Sequence, residues 1–227
     1  MEDESVDLIL ADLPYGMTVN KWDSVIPLDQ LWEYYERIIT DNGVIALFGD
    51  EPFASRLRLS NPKMYRYDWI WVKNQATGFL NANRMPLKNT ETISIFYKHL
   101  PIYHPQMRIG KPYTIRAHKG SSLNYGKVKR IANVNKGTRY PLKTIRFNSV
   151  QKTVHPTQKP VKLLQYLIKT YTDEGMTVLD NTMGSGSTGV AAVSLNRNFI
   201  GMELDDEYFK IANKRIEKAD KSTLISF

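Results

Sequence analysis

Apolar positions along the chain come in short blocks separated by stretches of helical period. Val6-Asp7-Leu8-Ile9-Leu10-Ala11 predicts a buried strand, and it stops at Asp12-Leu13-Pro14-Tyr15-Gly16, where proline and glycine force a turn. Leu28, Leu31, Trp32, Tyr35, Ile38 and Ile39 recur at helical spacing, with Pro27 to open the helix and Gly43 to close it. Val44-Ile45-Ala46-Leu47-Phe48 predicts a second buried strand, ending at Gly49. A helix is expected over residues 52–59, and strands over 68–72 and 93–97. Such alternation of strand and helix predicts an α/β sheet.

The regular pattern fades between His99 and Lys152, where Gly, Pro, Asn, Ser, Tyr and Lys dominate. This stretch reads as an inserted, loop-rich module. Periodicity returns at Pro160, which opens an amphipathic helix with Val161, Leu164, Leu167, Ile168 and Tyr171 on one face. A strand over 177–180, a glycine-rich turn, a helix to Leu195, a strand over 198–203 and a helix over 207–218 complete the chain. There are no internal repeats and no low-complexity tracts.

Composition narrows the chemistry. The 227 residues include no cysteine, which excludes disulfides, cysteine-held zinc, iron–sulfur clusters and a thiol nucleophile, and suits a reducing cytoplasm. No apolar run approaches the roughly 18 residues of a membrane span. Net charge is +8, but residues 92–172 carry 16 Lys and Arg and no acid, leaving −8 on the rest of the chain. A solvated face ordinarily mixes both signs. Total exclusion of acids points to a polyanionic partner, most simply nucleic acid.

Two turns carry candidate chemistry. Gly184-Ser185-Gly186-Ser187-Thr188-Gly189 follows a predicted strand and opens a helix, and Glu203 ends the next strand 19 residues after Gly184. In a βαβ unit that carboxylate can accept both hydroxyls of a ribose, so a nucleoside cofactor is expected. A P-loop is excluded, because no lysine precedes Ser187-Thr188. A nicotinamide oxidoreductase would explain the same turn, but not the acid-free segment. Only 38 residues follow Gly189, so the other strands must come from earlier in the chain. At the first turn, Asp12 and the Leu13 carbonyl offer two acceptors beside the flat ring of Tyr15, an arrangement suited to an exocyclic amine on a planar base.

Asp12-Leu13-Pro14-Tyr15, a basic insert, His155-Pro156-Thr157-Gln158-Lys159-Pro160, Asp180 through Thr188 and then Glu203 together resemble the amino-group DNA methyltransferases, in the motif order of their beta class. The resemblance implies a Rossmann-like α/β methyltransferase fold, circularly permuted, with an inserted basic target-recognition region. Its expected parts are a catalytic half (1–98), the insert (99–152) and a cofactor half (153–227). It implies methyl transfer from S-adenosyl-L-methionine to an exocyclic amine of a flipped-out base in double-stranded DNA. Asp at the head of the tetrapeptide favours adenine N6, with cytosine N4 the alternative. Asp12, Leu13, Pro14 and Tyr15 would be catalytic. Thr157, Lys159, Asp180, Gly184, Ser185, Gly186, Ser187, Thr188 and Glu203 would hold the cofactor, with Thr157 and Lys159 beside its tail. A homodimer and a cognate restriction endonuclease are the further partners implied.

The chain departs from this pattern at Leu13, where the family has a first proline, and at Asn181 and Thr182, where it commonly has Pro and Phe. Family members also carry some twenty residues ahead of the first strand, including a Gly-Asp pair. Their lack here predicts a free sheet edge, and with it weak cofactor binding or a dimer. His99, His104 and His118 have no metal-ligand spacing and read as surface residues. Trp69 and Trp71 read as core, while Lys73, Asn74 and Arg84 are polar at a strand exit near the expected base pocket.

Overall fold

The computed structural model describes residues 1–16, 26–122, 126–151, 153–155 and 158–224. Thr157 lies outside them. The chain divides into two compact units, residues 1–104 with 143–227, and residues 105–142.

The larger unit is built on one seven-stranded sheet. In chain order its elements are β1 (Val6–Ala11), α1 (Leu28–Ile38), β2 (Ile39–Gly49), α2 (Phe53–Ser60), β3 (Tyr65–Thr77) and β4 (Lys88–Phe96). In the smaller unit, β5 (Arg108–Ile109) through β10 (Thr138–Arg139) follow, and the main sheet resumes with β11 (Thr144–Arg146), α3 (Val161–Tyr171), β12 (Thr177–Asp180), α4 (Ser187–Val193), β13 (Asn198–Gly201) and α5 (Asp206–Leu224). The strand order is β11-β3-β4-β2-β1-β12-β13. β4 runs antiparallel to both its neighbours, and the other pairings are parallel.

β1 is central and buried on both faces, which is why it reads as a nearly unbroken apolar run. Its alternate residues serve different layers. Leu8 and Leu10 pack with Leu164, Leu167 and Ile168 of α3 and Ala191 and Ala192 of α4. Ile9 and Ala11 pack with Leu31, Trp32 and Tyr35 of α1 and Leu57 of α2. The strand thus joins two helical layers through its period of two. Trp69 and Trp71 are buried, and their indole N–H groups donate to Tyr171 Oη at 2.6 Å and to the Phe147 carbonyl at 2.8 Å.

The chain's two ends meet at the centre. β12 lies parallel beside β1, with Leu8 opposite Val178 and Ile9 opposite Leu179. The turn after β1 and the turn after β12 therefore leave the same edge of the sheet side by side, where open α/β sheets bind ligands. Among the described residues β13 pairs only with β12 and ends the sheet.

Three expectations need correction. Gly43 does not close α1. The helix ends at Ile38, and β2 begins at once because Ile39 pairs with Val6 and the β-branched run Ile38-Ile39-Thr40 favours extension. The region expected to be loop-rich is instead strand-paired. In residues 105–142, β5 pairs with β10, β6 (Tyr113–Ile115) with β9 (Asn133–Asn135), and β7 (His118–Ser122) with β8 (Gly126–Arg130), all antiparallel and nested. Within it the Arg139 guanidinium lies 4.3 Å from the Tyr113 ring centroid and donates to Asn135 Oδ1 at 2.6 Å. Gly137 has φ +109°, and a Cβ there would stand 2.8 Å from the Gly110 carbonyl. The unit is also shorter than the expected insert of 99–152, since residues 144–146 pair with β3 in the main sheet. Among the described residues no helix is long and apolar enough to cross a membrane.

Candidate active site

Asp12 follows β1 directly, and its carboxylate is engaged at both oxygens. The Tyr15 hydroxyl donates to Oδ1 at 2.5 Å, and the Lys159 ammonium donates to Oδ2 at 2.6 Å. Lys159 also sits 2.8 Å from Oε1 of Glu91, whose other oxygen is 2.8 Å from the Lys73 ammonium. The Lys159 cation lies 4.9 Å from the Phe48 ring centroid, at the end of β2. These groups are largely removed from water, with Glu91 and Lys159 side chains 6% and 12% exposed.

Burial raises the Asp12 carboxyl above its usual range, with Lys159 opposing and Glu91 reinforcing the shift. Glu91 is also opposed by burial, yet its two lysines hold it below the ordinary carboxylate range. Lys159, between two carboxylates, is held above the ordinary amine range and stays charged. The Tyr15 phenol is pushed well up by burial and by the adjacent Asp12, so it acts as a donor. Its ring stacks on Phe53 at 4.9 Å between centroids and 27° between planes.

The turn after β12 is fixed by its own polar residues. Asp180 accepts from Thr188 Oγ1 at 2.6 Å and from the Thr182 backbone N–H at 3.1 Å, and burial pushes its carboxyl up to about 7. Gly184 and Gly186 take left-handed φ values of +51° and +75°. A Cβ on Gly186 would meet Ala212 Cβ of α5 at 2.8 Å. Ser185 and Ser187 are buried, and Arg215 of α5 donates to the Ser185 and Ser187 hydroxyls at 2.8 and 3.4 Å. Glu203, after β13, accepts from the Gly184 N–H at 2.8 Å and the Asp205 N–H at 2.9 Å.

The two unusual residues of this turn both form crosslinks. Asn181 Oδ1 accepts from the Tyr35 hydroxyl of α1 at 2.6 Å, and Thr182 Oγ1 donates to the Asp12 carbonyl at 3.1 Å. Thr182 thereby ties one turn to the other.

Between the turns lies a cavity of about 360 Å³. Asp12, Leu13, Pro14, Tyr15, Lys159, Asp180, Gly184, Ser185, Ser187, Thr188 and Glu203 all line it. Gly186 does not line it, and turns the chain between Ser185 and Ser187 against Ala212 of α5. Lys159, expected beside a cofactor tail, is ion-paired at the Asp12 turn. His155, Tyr208, Leu204 and Asp205 also line the cavity. The His155 ring meets Tyr208 edge-on at 4.3 Å, and burial lowers its imidazole below the usual range.

Residues 6–214 match a protein family described as DNA methylase, the N6/N4 type. The chain belongs to that family. It is similar to the Type II methyltransferase M2.DpnII of Streptococcus pneumoniae, at 27% identity over 98% of this chain and 86% of the relative. It is also similar to DNA adenine methyltransferase YhdJ of Escherichia coli (strain K12), at 27% identity over 95% of this chain and 78% of the relative. Among solved structures, the M1.HpyAVI–SAM complex aligns with a TM-score of 0.64 at 28% identity, covering 93% of this chain and 89% of that one. The methylase's reaction is transfer of a methyl group from S-adenosylmethionine to an amino group of DNA.

The cavity's chemistry fits this cofactor. A sulfonium, an ammonium and a ribose diol suit a site lined by Asp180, Glu203 and Asp205. A dinucleotide pyrophosphate would meet the same carboxylates. The left-handed glycines let a ligand approach backbone that a side chain would cover.

The sequence reading missed Glu91. One signal does mark it, since it is the single acid in residues 69–172, a stretch with 19 Lys and Arg. An acid kept alone among so many cations is placed to pair with them.

Proposed function

We propose that this methylase acts on adenine N6 in double-stranded DNA. The observation that carries an amine target is the Asp12 carboxylate at the cavity edge, with one hydrogen bond to each oxygen among the described residues, and its being Asp is what favours adenine over cytosine. Each oxygen keeps a lone pair, so the carboxylate can accept from an amine without releasing Tyr15 or Lys159. YhdJ's designation as a DNA adenine methyltransferase supports the same choice.

Glu203 would hold the cofactor's ribose, and the Asp180–Thr188 turn its methionine part. When bound, S-adenosylmethionine supplies a methyl group on a sulfonium that departs as a neutral thioether. The target base is swung out of the duplex at a cost of a few kcal/mol. Tyr15, backed by Phe53, offers a ring for it to stack on, offsetting roughly 1–3 kcal/mol. Asp12 and the Leu13 carbonyl accept the two amino hydrogens, drawing the nitrogen lone pair out of conjugation and towards the methyl carbon. Positive charge grows on that nitrogen, and the Asp12 carboxylate stabilises it. After transfer one amino proton passes to Asp12, whose raised pKa suits it to receive that proton. Lys159 opposes that rise and so favours the ionised carboxylate until then.

The basic unit of residues 105–142, with nine Lys and Arg and no acid, would track the phosphates and select the sequence. The relative named as a Type II methyltransferase supports a cognate restriction endonuclease. A homodimer would cover the β13 edge. A DNA substrate and a chain without cysteine support a cytoplasmic setting.

The test is to incubate the chain with unmethylated amplified DNA and S-adenosylmethionine, then digest to nucleosides and sequence with modified-base detection. N6-methyladenine at one short sequence is expected. N4-methylcytosine would overturn the assignment to adenine.

A further inference from the structure

β3 and β4 run past the rest of the sheet. The last register pair of β4 with β2 is Thr92 opposite Gly49, yet β3 and β4 stay paired through Val72 with Thr90 and on to Thr77 with Lys88. Residues 73–90 therefore form a two-stranded arm that leaves the sheet at its β2 carboxyl end, the end where β1 delivers Asp12. The arm's root is anchored there, because Glu91 is ion-paired with Lys159, which holds Asp12. Extended strand from Glu91 to Lys88 carries the tip on the order of 10 Å beyond that root.

The tip is an ordered turn. Gly78 takes φ +92°, and the Asn81, Ala82, Arg84 and Met85 N–H groups donate to the Gly78, Phe79, Asn81 and Asn81 carbonyls at 2.8–3.1 Å. On this fixed backbone Phe79 is 71% exposed and Leu80 101% exposed, with Met85 at 57%. Large apolar side chains held outward on a rigid tip mark a contact surface. The rest of the arm names the partner by charge. Residues 73–90 hold five amide side chains and no acid, and of their three cations Lys73 and Lys88 are ion-paired with Glu91 and Asp50 while Arg84 stands at the tip.

We propose that this arm is a DNA wedge. It rests on the reading of the chain as a DNA methylase. Phe79 and Leu80 enter the base stack beside the target nucleotide and occupy the space it vacates, while Arg84 and the neighbouring amides engage the strand. Apolar side chains do this where proteins unstack a duplex, and a vacated stack needs a filler while the base is held elsewhere. The ion pairs from Glu91 through Lys159 to Asp12 place the arm's root and the amine acceptor at the same end of the sheet.

The test uses the double variant Phe79→Ser/Leu80→Ser, with thermal unfolding to show that the fold is kept. Sequencing of DNA methylated by the parent chain first supplies a target sequence. Two oligonucleotide duplexes are then compared, one fully paired and one with an abasic site opposite the target base, where opening is already achieved. The variant should methylate the paired duplex about tenfold or more slowly, yet stay within about twofold of the parent on the abasic duplex. Fluorescence of 2-aminopurine at the target should rise with the parent and not with the variant. Equal loss on both duplexes, or loss on neither, overturns the wedge. So does a fall from dimer to monomer in sedimentation, which would make the tip an interface between copies. If the parent chain methylates no DNA, the methylase reading itself fails, and the wedge falls with it.

Discussion

Replacing Lys159 with methionine removes a buried cation while nearly preserving volume. Its ammonium sits 2.6 Å from Asp12 and 2.8 Å from Glu91. After its loss Glu91 keeps Lys73, but Asp12 keeps only the Tyr15 hydroxyl, with Glu91 still nearby. Removing one partner of a buried ion pair costs about 3–5 kcal/mol, which is a large part of the ~5–15 kcal/mol that holds a domain folded. The cost depends on pH with a definite sign. Burial and Glu91 already raise the Asp12 carboxyl, and without Lys159 nothing cationic opposes them. A carboxyl raised in the folded state binds more protons than in the unfolded state, so stability falls as pH climbs from the unfolded value towards the folded one. The variant's deficit should therefore grow as pH rises above the ordinary carboxylate range and shrink as pH falls back towards it, by up to about 1.4 kcal/mol per pH unit. Catalysis should follow the same group. A protonated Asp12 accepts more weakly from the amine and cannot take its proton, so the variant's transfer should be slower than the parent's and recover as pH rises. Urea unfolding at several pH values and single-turnover transfer from labelled cofactor measure both. Other groups near this network are Asp180, His155, Asp50 and Lys73, so Lys73→Met is the control, with a smaller loss expected. A Lys159→Met deficit below about 1 kcal/mol at pH 8, or one independent of pH, would refute the buried clamp.

Asp12→Ala should cut methyl transfer by more than about tenfold, roughly 1.4 kcal/mol of barrier, with cofactor affinity nearly unchanged by calorimetry. A variant that keeps over a tenth of the parent rate removes Asp12 from the chemistry. Glu203→Gln should weaken S-adenosylmethionine binding by about tenfold, since a charge-assisted acceptor becomes neutral, and leave the rate at saturating cofactor close to that of the parent. Asp180, pushed up to about 7 by burial, costs the parent stability as pH rises from the unfolded value near 3.8 through 7. Asp180→Asn should flatten that decline in urea titrations, and an unchanged slope would place the titration elsewhere. Changing Arg108, Lys127, Lys129 and Arg130 together to Ala should lower the salt dependence of DNA binding, by about 0.9 in log–log slope for each phosphate no longer neutralised. An unchanged slope would move the phosphate track to other residues.

The strands and helices that depend on local pattern were legible from the sequence. The β1 core run, the glycine-rich turn with Glu203 at its spacing, and the apolar face of α3 each declare themselves within some twenty residues, because period and turn chemistry are local. Charge partition also needs no fold, and it marks an acid-free segment in one dimension. Where α1 yields to β2 was not legible, since Ile39 becomes a strand residue only by pairing with Val6. The nested strands of residues 105–142 escaped for the same reason, being short pairs without an apolar alternation to mark them. The site shows the division most plainly. Asp12 and Lys159 stand in motifs and Glu91 is the lone acid among cations, but nothing local pairs the three, and 147 residues separate the first from the last. The lysine's identity and the single acid were in the sequence. Their meeting required β4 to pair with β2 and β12 to lie beside β1, because only packing removes water from charges and makes their pairing obligatory.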